Sequence, residues 1–276
     1  MYVKIVSICF VGFGNAARRL AEILLQFSDE IYRRYSIKIR CSAISTARHS
    51  SVVSRRANKI DLEHALNLVK AGKQLTELEN VEEVESAIQA IAKSGADIVI
   101  ETTTLNPYDG EPALSHVAFA LKSRKHVVSA NKGPVAYALP YLKTLAKEQK
   151  VSFRYESTVM DGAPIFNLVE QCLPLVKVDS IFGIVNSTTN FILSQMELGV
   201  DFGNALSEAQ KMGIAEADPS FDLDGWDAAV KLSVLANSIM QAELRPSQVS
   251  RVSISSLNRR SLRENYKRGF KTRVIA

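Results

Sequence analysis

The chain has 276 residues, 46% apolar and 23% charged, with a formal net charge of +5. That balance is ordinary for a globular protein and leaves room for one large domain or two modest ones. The three cysteines (Cys9, Cys41 and Cys172) lie far apart in apolar settings with no C-x-x-C spacing, so neither a disulfide framework nor a zinc site is supported. Buried, reduced thiols in a cytoplasmic protein are expected instead. His49, His64, His116 and His126 show no metal-ligand spacing. No run approaches the roughly 18 apolar residues of a membrane helix. The positive charge is local: residues 251–276 hold eight Lys or Arg and one acid, a segment of +7, leaving about −2 elsewhere. A nucleic-acid binder spreads such charge over a face with supporting aromatics, so this segment reads as a solvated helix face. Neither a nucleic-acid nor a membrane partner is expected.

Residues 3–11 form a continuous apolar run with β-branched members, the pattern of a strand buried on both sides. Gly12-Phe13-Gly14-Asn15-Ala16-Ala17 follows, and then Leu20, Ala21, Leu24 and Leu25 recur at helical spacing. This G-x-G-x-x-A thus joins a strand to a helix, as in dinucleotide-binding folds. Gly12 permits a tight turn, Gly14 lets backbone approach a pyrophosphate, and Ala17 lets the helix pack on the strand. A second strand is expected at residues 37–44. NAD-binding proteins usually end it on an acid that binds the ribose 2′-hydroxyl. Here it runs into Ser45-Thr46-Ala47-Arg48, which favours a 2′-phosphate with Arg48 as its contact, or else Arg48 is an ordinary loop residue.

Helical patterns at 61–71, 81–94, 112–122 and 139–149 then alternate with strands at 96–100, 126–129 and 151–155. Alternation of this kind predicts an α/β fold, a Rossmann-type doubly wound parallel sheet whose ligands bind at the carboxyl ends of the strands. Thr102, Thr103 and Asn131-Lys132 fall at those ends beside Gly12–Ala17, which puts Lys132 near the nicotinamide end of a cofactor. We divide the chain into a dinucleotide-binding domain, 1–155, and an α+β substrate and dimerisation domain, 156–276.

In the second domain, helices are expected at 165–173, 191–198 and 203–212, with a strand at 178–185 and a polar patch, Asn186 to Asn190, between them. The stretch 209–231 reads AQKMGIAEADPSFDLDGWDAAVK. Its acids, Glu216, Asp218, Asp222 and Asp224, lie in a loop broken by Pro219 and Gly225, and Asp227 and Lys231 share one face of the helix that follows. On spacing alone these groups are either a polar pocket for an amino-acid-like substrate or a helix cap with a surface ion pair.

The stretch closely resembles the signature of homoserine dehydrogenases at Ala209, Gly213-Ile214-Ala215, Asp218-Pro219, Asp222-Leu223, Gly225, Asp227 and Lys231. GFGNAA, the strand-end threonines, Ala130-Asn131-Lys132-Gly133-Pro134 and the segment from Glu156 to Pro164 resemble the same family. The resemblance implies NAD(P)-dependent interconversion of L-homoserine and L-aspartate 4-semialdehyde, a step toward threonine and methionine, with NADP(H) preferred over NAD(H). It implies Lys231 as proton donor and acceptor, Lys132 close by stabilising the oxyanion, and Asp227 holding Lys231 or binding substrate. It assigns Glu216 and Asp222 to the substrate ammonium and Thr188 to the substrate pocket, although Ser187 replaces a glycine common in the family. Gly213 would let its loop approach the cofactor. Glu156, Val159, Asp161 and Ala163 would surround Na+ or K+, largely through carbonyls.

Relatives continue past residues 272–276, which read as the start of a strand. The expectation is therefore a C-terminally shortened form without a regulatory domain, and a homodimer through the second domain. The alternatives are a truncated paralogue that binds nucleotide without turnover, and a related amino-acid dehydrogenase on the same plan.

Overall fold

The computed structural model describes residues 3–55, 59–216 and 218–276. The chain divides into two compact units, Met1–Thr158 and Val159–Ala276. In the first, β1 (Lys4–Val11), α1 (Asn15–Gln26), α2 (Ser28–Tyr35) and β2 (Ile37–Ser45) lead into β3 (Ser51–Ser54), α3 (Leu62–Lys70), β4 (Val81–Glu83) and α4 (Ala87–Lys93). Then follow β5 (Ile98–Glu101), α5 (Ala113–Lys122), β6 (His126–Ser129), α6 (Lys132–Gln149) and β7 (Phe153–Arg154). The strands form one seven-stranded sheet in the order β4-β3-β2-β1-β5-β6-β7. The run from β2 to β7 is parallel, while β3 and β4 are antiparallel to their neighbours. The chain winds outward from β1 in one direction and from β5 in the other. The crevice where strand order reverses therefore lies between the carboxyl ends of β1 and β5, the usual ligand position of such sheets.

Three expectations in this unit need correction. Residues 81–94 are not one helix: Val81–Glu83 pairs with β3, and α4 starts only after Ser86, whose hydroxyl accepts the Gln89 N–H at 3.2 Å. β1 is buried only from Ile8 onward, because β5 joins it at Ile8 and the first half pairs with β2 alone. The helix expected at 139–149 begins at Lys132. Gly133 and Pro134 do not break it, because proline in a first helical turn forfeits no intrahelical bond. Pro140, farther in, does distort the helix, and Ala138 leaves helical geometry with φ −145°.

The second unit holds α7 (Ile165–Asn167), α8 (Ser187–Glu197), α9 (Phe202–Lys211), α10 (Ser220–Leu223), α11 (Trp226–Leu235) and α12 (Arg259–Lys267). Wide π-type turns, Leu168–Cys172 and Ala236–Met240, extend α7 and α11. Ile192, Leu193 and Met196 of α8 pack with Ala205 and Ala209 of α9, Leu223, Ile254 and Leu262 into the core. The strand expected at 178–185 is absent: among the described residues, none of this unit forms a strand. An extended segment becomes a strand only when a neighbour pairs with it. Here Gly183 and Ala276 exchange two backbone bonds at 3.0 Å, but no strand forms around them among the described residues.

Cys9 and Cys41 are buried, but Cys172, expected to be buried, is exposed at the end of the π-type turn Leu168–Cys172. Burial pushes the Cys9 thiol up to about 12, which leaves it unreactive. No helix among the described residues is long and apolar enough to cross a membrane.

Candidate functional site

Each unit carries its own cluster of candidate residues. In the first, the Gly12 N–H returns to the Ser45 carbonyl at 2.9 Å, tying the end of β1 to the end of β2. Gly12 has φ +85°, and a Cβ there would lie 2.7 Å from the Thr102 carbonyl and the Thr103 nitrogen. Only glycine lets the ends of β1 and β5 approach this closely. The Thr102 hydroxyl closes the contact by donating to the Gly12 carbonyl at 2.9 Å. Nothing lies within 4 Å of a Cβ built on Gly14, so the backbone there faces open space. α1 starts at Asn15 with no side chain capping its first N–H groups and no acid in its first turn. Free donors at the positive end of a helix are what a pyrophosphate takes, so these residues fit a dinucleotide.

Two of the remaining members of the motif, Phe13 and Ala17, serve packing. Phe13 turns its ring into the core, 5.2 Å from Phe10, which leaves its backbone facing the turn. Ala17 is fully buried, whereas Ala16 is exposed. Arg48 is exposed in the tight turn joining β2 to β3, which Thr46 closes by donating to the Ser50 carbonyl at 3.0 Å. On the other flank, Asn131 caps α6 by accepting the Gly133 N–H at 2.8 Å. Its amide donates to the carbonyls of Thr103 (3.0 Å) and Thr104 (3.3 Å). Lys132, the first residue of α6, is thereby held next to the Thr102–Thr104 turn.

The second unit assembles its residues through side chains. Lys231 Nζ lies 2.9 Å from Asp227 Oδ2 and donates to the Val185 carbonyl at 2.8 Å. The side chains of the pair are only 16% and 10% exposed, so the surface ion-pair reading fails. Asn186 connects this pair to the loop: its amide donates to Asp222 Oδ1 (2.7 Å) and to Asp227 Oδ2 (3.0 Å). Its carbonyl oxygen meanwhile caps α8 by accepting the Thr189 N–H at 2.8 Å. One amide thus joins two carboxylates, one of them paired with the ammonium, leaving one formal negative charge in excess. Such a cluster suits a ligand that brings a positive group. Sequence reasoning gave Asn186 no separate role; the available signal was a capping-type residue directly before a helix.

Three other residues fare differently from expectation. Thr188 is 2% exposed and its hydroxyl donates to the Ile214 carbonyl at 3.1 Å, so it anchors the signature loop from within. Gly213, at φ +71°, follows α9 and ends it. Its N–H reaches the Gln210 carbonyl (3.0 Å) and that of Ile214 the Ala209 carbonyl (2.9 Å), the two bonds of a Schellman motif. That termination alone accounts for glycine here. Glu216 is exposed and outside the Asn186 network; its carbonyl accepts from Gln210 at 3.2 Å.

Glu156 lies in a tight turn, Glu156–Thr158; Val159 is buried and Asp161 exposed. The Ala163 carbonyl accepts the Ile165 N–H at 3.0 Å and keeps a second lone pair. Carbonyl oxygens of this kind suit a hard monovalent cation. No group of three or more His, Cys, Asp or Glu able to hold a metal ion occurs among the described residues.

Residues 164–276 match the homoserine dehydrogenase family model. The chain is 38% identical over 271 residues to a homoserine dehydrogenase of Methanocaldococcus jannaschii, covering 98% of this chain and 79% of the relative. The chain belongs to the homoserine dehydrogenase family. It is 36% identical to an NAD(+)-dependent homoserine dehydrogenase of Pseudomonas canavaninivorans, covering 91% of this chain and 71% of that one. A provisionally assigned homoserine dehydrogenase structure from Archaeoglobus fulgidus superposes with a TM-score of 0.85 at 30% identity, covering 98% of this chain and 79% of the other. A hyperthermophilic archaeal homoserine dehydrogenase in complex with NADPH superposes at 0.77 with 29% identity, covering 92% of this chain and 75% of the other. Membership makes the chain an NAD(P)-dependent oxidoreductase acting on a CH–OH group.

Proposed function

We propose that the chain interconverts L-homoserine and L-aspartate 4-semialdehyde with NADP(H) preferred over NAD(H), as a cytoplasmic enzyme of threonine and methionine biosynthesis. The observation that carries the substrate assignment is the Lys231–Asp227–Asn186–Asp222 network. Bound nicotinamide supplies or accepts a hydride. Lys231 gives a proton to the aldehyde oxygen as alkoxide charge develops, and takes one back in the oxidative direction. Asp227, one helical turn before it, fixes the ammonium, and Asn186 holds both aspartates at hydrogen-bond distance. Asp222 receives the substrate ammonium, which offsets the excess negative charge of the cluster. Glu216, exposed on the loop nearby in sequence, is a second candidate for that ammonium. Thr188 keeps the loop in place through Ile214.

Gly12 would turn the chain so that Phe13, Gly14, Asn15, Ala16 and Ala17 hold the pyrophosphate through backbone donors, with Thr102 and Thr103 flanking. Lys132 stabilises developing negative charge at the nicotinamide end. The NADP preference rests on Arg48 and on the absence of an acid at the end of β2. The carbonyls of Val159, Asp161 and Ala163, with Glu156, are the candidate donors for Na+ or K+.

The second unit exposes Leu175 (98%), Phe182 (83%), Val176 (55%) and Ile184 (50%). Large exposed apolar side chains of this kind favour a homodimer through that unit, which sedimentation at micromolar concentration tests; a monomer there refutes it. The deciding assay is reduction of NADP+ and of NAD+ by L-homoserine at alkaline pH, with L-aspartate and L-threonine as competing substrates. Turnover of L-homoserine alone, with the higher kcat/KM on NADP+, is expected. Faster reaction with L-aspartate would replace the substrate assignment, and preference for NAD+ would remove the role of Arg48.

A further inference from the structure

Glu101 is fully buried and none of the roles above uses it. It is the last residue of β5, in register with Val11 of β1 on one side and Ser129 of β6 on the other. Those partners are the residues just before the Gly12 turn and just before the Ala130-Asn131-Lys132 segment. Its carboxylate gathers donors from both flanks. Oε1 accepts the Thr103 N–H at 3.2 Å and also the Thr103 hydroxyl. Oε2 accepts the Ser129 hydroxyl at 3.3 Å. His116 of α5, itself buried, brings Nδ1 to 3.7 Å from Oε1, with no hydrogen-bond partner nearer.

A buried carboxylate is costly, and the preceding strand positions, Val99 and Ile100, are filled by apolar residues at no such cost. What the carboxylate contributes is connection. By holding Thr103 it folds the chain back at the end of β5, so that the Thr103 and Thr104 carbonyls meet the Asn131 amide. Through Ser129, whose Oγ accepts the Asn131 N–H at 3.1 Å, it steadies the same asparagine from the other side. Asn131 in turn starts the helix on which Lys132 is first.

We infer that Glu101 is a positioning residue for the nicotinamide half of the cofactor. It locks the Thr102–Thr104 turn and the Asn131–Lys132 helix start into one arrangement without touching the cofactor itself. This rests on the reading that these strand ends face the nicotinamide. The adenosine half depends on β2 and the turn after it, which Glu101 does not contact.

The test compares Glu101→Ala and Glu101→Gln by kcat, by affinity for NADPH, and by affinity for 2′-phospho-ADP-ribose, which lacks the nicotinamide. NADH and ADP-ribose replace them if wild type prefers NAD. Glu101→Ala is expected to lower kcat by roughly 10- to 100-fold and to weaken the dinucleotide about tenfold, with the fragment unchanged. Glu101→Gln keeps an acceptor for Thr103 and restores most of both. Equal loss of dinucleotide and fragment would show a merely structural role and overturn the inference, as would unchanged kinetics in a folded Glu101→Ala protein. If Glu101→Ala fails to fold, Ser129→Ala reads the same link, because it removes the hydroxyl that Glu101 Oε2 accepts. That variant should lose nicotinamide-dependent affinity with the fragment unchanged, and affinity equal to wild type overturns the inference. A wild type that binds both ligands but turns over no homoserine would refute the substrate reading while leaving this comparison intact.

Discussion

The two units prepare their candidate sites by different means. The first does so mainly with backbone: Gly12 packs against Thr102, the α1 N-terminus is left uncapped, and Asn131 pins two carbonyls. The second does so with charged side chains, sharing Asp222, Asp227 and Lys231 around the single amide of Asn186. A dinucleotide is large and rich in anionic oxygens, which backbone donors serve well. A small amino acid must be told from its analogues by a few polar groups, and a proton must be moved, which requires side chains. Substitutions should therefore separate nucleotide binding from turnover.

The largest effect is expected at Lys231. Lys231→Ala removes the proton donor, and kcat should fall by roughly 10²- to 10⁴-fold, the range for loss of a general acid. Nucleotide affinity, read by fluorescence titration, should stay near that of wild type. Comparable loss of nucleotide binding would break the division between backbone-built and side-chain-built sites. Gly12→Ala is the converse. Its Cβ would meet backbone at 2.7 Å, and at φ +85° the left-handed conformation adds about 1–2 kcal/mol of strain. Nucleotide affinity should drop sharply and the melting midpoint fall. A variant that still binds NADPH as tightly as wild type would show that the close approach of β1 and β5 is not required.

The same contrast governs how much could be read before the structure. The G-x-G-x-x-A turn, the strand ends at Thr102 and Asn131, and the Asp227–Lys231 spacing are local patterns, and each is where it was expected. β3 and β4 escaped notice because four- and three-residue strands owe their form to each other, through pairs such as Val53 with Glu82. The run 178–185 failed in the opposite sense: its strand-like composition does not supply a partner. Asn186 was legible as a cap but not as a bridge to residues 36 and 41 positions away. Glu101 stood in plain view at the end of an apolar strand. Nothing local distinguishes a buried hub from an exposed terminus.

Smaller effects sharpen the picture of the second unit. Asn186→Ala removes the amide that both aspartates share and the cap of α8. Leaving the buried Asp227 carboxylate without this donor costs about 1–3 kcal/mol, and a lower thermal midpoint should report it. Turnover should fall less than in Lys231→Ala, since the proton donor remains. If instead Asn186→Ala melts like wild type while losing all activity, the amide contacts substrate and does not merely hold the aspartates.

The smallest effect is expected at an exposed carboxylate of the same unit. Asp201 caps α9, and the Asn204 N–H, donated to it at 3.0 Å, holds its carboxyl below the usual range. A depressed folded value means stability that is present above the unfolded carboxyl range, near pH 4, and is lost as pH falls through the folded value. Asp201→Asn keeps a capping acceptor but cannot titrate. Its melting midpoint should match wild type at neutral pH and decline less steeply below about pH 4. An equally steep decline would assign the acid sensitivity to other carboxylates of the chain.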